Sequence, residues 1–110
     1  MAVPGNWTLN YDWDCDGGYG STSMVFNANG TWSSGEGYTG LWVATAGELL
    51  FIFDGGGRTT YGGVMASQSV TGISTTFSGL TGCFYLLQAG APLAAVAERA
   101  EGKADSSGVA

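Results

Sequence analysis

Trp7-Thr8-Leu9-Asn10-Tyr11-Asp12-Trp13-Asp14-Cys15-Asp16 alternates a large apolar residue with a short polar one over residues 7–16. Successive side chains of an extended chain leave opposite faces of the pleat, so a period of two is the pattern of a half-buried strand. It predicts the odd residues turned to a core and the even ones, three carboxylates among them, turned to water.

Outward from this strand the chain is punctuated at short intervals. Gly17-Gly18-Tyr19-Gly20 breaks it, residues 21–27 read as a second strand, and Asn27-Ala28-Asn29-Gly30 turns the chain into a third at 31–36. A fourth strand is expected at 39–45. Ala46-Gly47 leads to 48–54, with the most apolar run in the chain, and Gly55-Gly56-Gly57 leads to 58–65. Strands at 69–77 and 82–88 complete eight. Every connection is short, and a parallel pair needs a crossover of a dozen or more residues, so neighbours must be antiparallel. The expectation is an all-β, up-and-down antiparallel meander of about eight short strands. Closure into a barrel is favoured over a sandwich because no strand carries the Pro or Lys that protects an open edge.

Composition agrees with this reading. The chain is 45% hydrophobic, with four Trp, five Tyr and five Phe, which is too apolar for a disordered chain, and its 20 glycines in 110 residues suit many tight turns. One domain accounts for the length. Residues 1–88 form the barrel and 89–110 a tail. Pro92, Gly102 and the stripe Leu93, Val96, Ala97 and Ala100 predict a short C-terminal helix at about 92–101, with a small, polar, disordered end after it.

Barrel closure would set the first strand beside the last, and these carry the two cysteines, Cys15 and Cys83. A bridge there would stabilise the fold by roughly 4 kcal/mol in the chain-entropy model and would favour a secreted or periplasmic location. Two buried free thiols are the alternative reading. The start, Met1-Ala2-Val3-Pro4-Gly5, lacks the charged and apolar regions of a secretory signal.

Charge narrows the partners. The barrel holds Asp12, Asp14, Asp16, Glu36, Glu48 and Asp54 against Arg58 alone, and the chain contains no His. Phosphate backbones are therefore repelled, and no nucleic-acid partner is expected. No run of about 20 apolar residues predicts a membrane span. A cationic partner is compatible with this balance.

The triplet Gly-x-Trp occurs at Gly5-Asn6-Trp7, Gly30-Thr31-Trp32 and Gly40-Leu41-Trp42, and the first opens the first strand. An opening of this kind resembles that of lipocalins and avidins. The resemblance implies an eight-stranded meander barrel that takes a small, mostly apolar molecule inside. The chain has neither Arg nor Lys between residues 59 and 98, so it lacks the basic residue that lipocalins commonly pack over that Trp.

Asp12-Trp13-Asp14-Cys15-Asp16-Gly17 matches the first half of an EF-hand calcium loop, and Asp12, Asp14 and Asp16 are a weak metal candidate on that ground. The second half of the loop does not match, since Ser23 stands where the bidentate Glu belongs. A solvated acidic face is the simpler reading. Catalysis has little to work with: the barrel has no His or Lys, and flanking Asp14 and Asp16 disfavour a Cys15 thiolate. No enzyme and no cofactor are expected. Arg58 is expected to pair with Asp54 across its turn.

The leading expectation is a non-catalytic barrel lined by some of Trp7, Tyr11, Trp13, Phe26, Trp32, Trp42, Phe51, Phe53 and Tyr61, binding a small apolar or aromatic molecule. Eight strands enclose a space that side chains can fill, which leaves the existence of a cavity open. The second expectation is a protein-interaction or inhibitor module using exposed Tyr19, Tyr38, Phe84 and Leu86, with self-association through the last strand and the tail. The third is carbohydrate binding by Trp or Tyr stacking.

Overall fold

The computed structural model describes residues 2–55 and 57–90. The eight strands are β1 (Gly5–Trp13), β2 (Gly20–Phe26), β3 (Thr31–Ser34), β4 (Thr39–Thr45), β5 (Glu48–Phe53), β6 (Thr60–Ala66), β7 (Ser69–Thr75) and β8 (Thr81–Gln88). Each pairs antiparallel with the next, and β1 pairs with β8, closing the barrel. The helix expected at 92–101 and the end that follows lie outside the described residues.

Two unlike ends result. Connections 14–19, 35–38, 54–59 and 76–80 gather at one end, which we call the loop end. The tighter connections 27–30, 46–47 and 67–68 gather at the other. Ala46 and Gly47, with φ of 51° and 81°, make the left-handed pair that a two-residue hairpin needs to match strand twist. The N-terminal segment plugs this turn end. Val3 is buried and accepts a 2.7 Å hydrogen bond from Trp7 Nε1, while Gln88 Nε2 donates to Ala2 O at 3.0 Å.

The core fills the turn-end half. Trp7, Phe26, Leu49, Phe51, Val70 and Leu86 are all nearly inaccessible. Their rings meet edge to face, as Phe26 does with Trp7, Trp42 and Phe51 at 6.2, 6.0 and 5.6 Å, the geometry that ring quadrupoles favour.

β8 corrects one expectation. Phe84 and Leu86 are 3% and 0% exposed and point into the barrel, so they offer no outer surface. Both sets of β8 side chains are apolar, and its pattern alone does not say which face is inner. The outward set is half-covered instead: Cys83 is bridged to Cys15 with Cα atoms 5.3 Å apart, and Tyr85 meets Tyr19 at 5.2 Å. Buried free thiols are thereby excluded. The bridge ties the connection after β1 to β8 along the closing seam, and it fits an oxidising environment.

The acidic stretch also departs from its pattern. β1 ends at Trp13, and the chain turns through Asp14 and Cys15 with φ of 69° and 52°. Asp12 is 1% exposed rather than solvated. Its two carboxylate oxygens accept the backbone N–H groups of Asp16 at 3.2 Å and Gly17 at 2.8 Å, so the turn folds back over it. A carboxylate satisfied this way is a turn cap.

Candidate functional site

A cavity of about 600 Å³ opens at the loop end of the barrel. Its origin lies in a size gradient along the inward-facing positions. In β2 these run Phe26, Met24, Thr22, Gly20 from the turn end to the loop end. Ser34 of β3, Gly40 of β4, Ser74 of β7 and Gly82 of β8 are likewise small and likewise near the loop end. Eight-stranded barrels stand at the boundary between a filled lumen and one that holds a small ligand, and this gradient leaves the loop end of the lumen open.

The aromatic residues near the mouth would refill that space if they crossed it. They do not, because each lies over a glycine directly across the ladder. Tyr11 pairs with Gly20, Trp13 with Gly82, and Trp32 with Gly40. A Cβ on Gly20 would stand 2.7 Å from the Tyr11 ring, on Gly82 3.1 Å from that of Trp13, and on Gly40 2.6 Å from that of Trp32. The three rings thus pack over their cross-strand glycines along the wall. Trp32 is fixed further by Nε1, which donates to both Leu41 O and Ile52 O at 3.2 Å.

Phe53 and Tyr61 complete the aromatic wall. Trp32 packs on Phe53 at 4.7 Å, Tyr61 stacks on Phe51 at 4.8 Å with planes 6° apart, and Trp13 meets Tyr61 at 6.5 Å. Burial, then the neighbouring Tyr11 and Glu36, pushes the Tyr61 hydroxyl up to about 12 from the ordinary 10. It therefore stays neutral at physiological pH, and Glu36 is close enough to act on it electrostatically.

The rim is polar and acidic. The 35–38 connection is a tight hairpin, with Ser34 N–H donating to Tyr38 O at 2.9 Å and Tyr38 N–H to Ser34 Oγ at 3.2 Å. It presents Glu36 and Tyr38 to the opening. Asp54 lies on the rim and accepts the Thr39 hydroxyl at 3.1 Å, in place of the expected ion pair with Arg58. Arg58 is not among the residues that line the cavity.

Of the aromatic residues singled out from sequence, Tyr11, Trp13, Trp32, Phe53 and Tyr61 line this cavity. Trp7, Phe26, Trp42 and Phe51 sit in the packed half beneath it. Trp42 donates Nε1 to Asn27 O at 2.9 Å at the turn end. Glu36, Tyr38, Thr39 and Asp54 belong to the cavity and were not among the residues expected to line it. Their signal was the glycine-flanked Gly35-Glu36-Gly37-Tyr38, which places a charge and a ring on a tight loop. Asp12, Asp14 and Asp16 do not converge, and no group of three or more metal-ligating side chains is found among the described residues.

Apolar side chains also stand outside. Leu41, Val43, Leu50, Val64 and Ile73 are exposed on the outer face of β4 to β7, and Val43, Leu50, Gly62 and Ile73 form one row across the four strands. No helix among the described residues is long and apolar enough to cross a membrane. Neither a model of a known protein family nor a curated protein sequence matches the chain.

Proposed function

We propose that this protein is a non-catalytic barrel that binds one small apolar or aromatic molecule in the loop-end cavity. The observation that carries the reading is the open, aromatic-walled space of about 600 Å³, which lies within the range of small-molecule sites. An apolar ligand would gain by burial against Trp13, Trp32, Phe53 and Tyr61, at about 25 cal/mol per Å² removed from water. The wall is pre-formed, because the glycine-seated rings need not move to admit it, and pre-organisation lowers the cost of binding.

The test uses the neutral fluorescent probe N-phenyl-1-naphthylamine with the full chain. Saturable one-to-one binding is expected. Thr22→Phe, which places a ring in the open part of the lumen, should abolish binding while the unfolding midpoint stays close to that of the parent. Non-saturable binding, or equal binding by Thr22→Phe, would overturn the proposal.

A second reading rests on the aliphatic row of the outer face. Apolar surface of this kind marks interfaces, and it would serve contact with another protein on β4 to β7 rather than through the last strand. Val43→Lys with Leu50→Lys should leave probe binding intact and abolish any concentration-dependent association seen by sedimentation. Association unaffected by both changes would refute that reading.

A further inference from the structure

We infer that the cavity selects organic cations: a small amine or quaternary ammonium carried on an apolar or aromatic body. The inference rests on the reading of the cavity as a ligand site and adds the charge of the ligand.

Four observations converge. First, the acidic residues that line the cavity are Glu36 and Asp54, and the described lining residues include no Arg or Lys. An anionic ligand would meet two carboxylates with no counter-charge beside it. Second, the wall below them is made of the rings that attract cations best. Trp13, Trp32 and Tyr61, with Tyr38 at the rim, line one space, and the electron-rich faces of such rings attract ammonium groups, more strongly when water is excluded.

Third, the Asp54 carboxylate and the backbone that carries Glu36 are held in place. Glu36 sits in the hairpin that closes between Ser34 and Tyr38, and Asp54 is anchored by the Thr39 hydroxyl and by its own N–H to Thr39 O at 3.0 Å. Fourth, Glu36 is among the causes, after burial and Tyr11, that raise the Tyr61 hydroxyl, so the rim charge acts on the aromatic wall. The barrel also carries a general excess of carboxylates, which attracts cations to the mouth at low ionic strength.

A neutral apolar molecule would use only the floor and wall. A cation of the same shape uses these and the rim, so discrimination by charge is the expected signature. At an exposed rim, where water screens the pair, each carboxylate should contribute roughly threefold to fivefold in affinity.

The decisive experiment compares benzyltrimethylammonium with its uncharged isostere neopentylbenzene, both as competitors of N-phenyl-1-naphthylamine on the full chain. The two differ in charge and hardly in shape. The cation should bind at least about tenfold tighter, and its advantage should shrink at high salt. Glu36→Gln with Asp54→Asn should reduce cation affinity by about tenfold and leave the isostere within about twofold. Both positions are exposed, and an unchanged unfolding midpoint verifies the fold. If both competitors displace the probe equally, the charge assignment is overturned and the binding barrel stands. If the cation wins but the double variant does not weaken it, the assignment to Glu36 and Asp54 is overturned. If neither the probe nor either competitor binds, the binding barrel itself fails and this inference with it.

Discussion

Replacing Gly40 with alanine tests whether the glycine-seated rings hold the barrel open. Gly40 faces the lumen opposite Trp32, and the space its side chain would take is occupied by the indole. A Cβ would collide with the carbonyl oxygen of Ile52 and stand 2.6 Å from Trp32 Nε1 and 2.7 Å from its Cε2. Ordinary contacts need roughly 3.5–4.0 Å, so the ring must retreat by about an ångström. That retreat breaks the hydrogen bonds of Trp32 to Leu41 O and Ile52 O. An indole N–H left unpaired in the wall costs about 1–3 kcal/mol, and overpacking against backbone costs about 1–3 kcal/mol more. The expected loss is about 2–6 kcal/mol, a large part of the roughly 5–15 kcal/mol that a domain has.

Gly20→Ala is the internal comparison. Its Cβ would meet only the far end of the Tyr11 ring, at 2.7–2.9 Å, an end that the added methyl can displace into the cavity. The cost should be about 1 kcal/mol, with probe binding weakened because the ring then occupies the site. Urea unfolding under non-reducing conditions, followed by tryptophan fluorescence, gives both values. Should Gly40→Ala lose no more stability than Gly20→Ala, the argument that this glycine seats Trp32 is wrong.

Other changes have defined outcomes. Asp12→Ala removes the acceptor of the Asp16 and Gly17 N–H groups, and should cost about 2–3 kcal/mol, with faster amide exchange at both. Cys15→Ser with Cys83→Ser should lower stability by about 4 kcal/mol in the chain-entropy model; a loss under about 1 kcal/mol in denaturant unfolding would show that the seam holds without the bridge. Tyr61 keeps its proton up to about 12 when folded and releases it near 10 when unfolded. Its contribution is therefore complete below pH 10 and falls by about 2–3 kcal/mol as pH rises to 12, a slope that Tyr61→Phe should remove from the alkaline unfolding curve. Ala46 holds a φ of 51°, so Ala46→Gly should raise the unfolding free energy by about 1 kcal/mol; unchanged or lower stability would mean that the turn is not strained there.

The strand order and the closed meander were legible in the sequence because β1 alternates cleanly and turn residues recur at short intervals. The same alternation misplaced Asp12. Its outward position is correct for the pleat, but the chain after Trp13 folds back over that face, an event set by left-handed Asp14 and Cys15 that periodicity does not carry. β8 was ambiguous because Phe84 and Leu86 are no more apolar as a set than Cys83, Tyr85 and Leu87. The open lumen was not legible either. Fourteen aromatic residues read as enough to fill a small barrel, and whether they do depends on which rings lie opposite a glycine, a matter of register. Glu36 and Asp54 read as surface charge until the hairpin at 35–38 and the connection after β5 brought them to one rim.

The central claim, an open site at the loop end, is tested most directly by the four tryptophan indole N–H resonances during titration with N-phenyl-1-naphthylamine. Trp13 and Trp32 line the cavity, whereas Trp7 and Trp42 bond to Val3 and Asn27 at the turn end. The account predicts saturable shifts at Trp13 and Trp32 with Trp7 and Trp42 unmoved. Shifts confined to Trp7 and Trp42, or to backbone amides of Leu41, Val43 and Leu50 on the outer face, would contradict it.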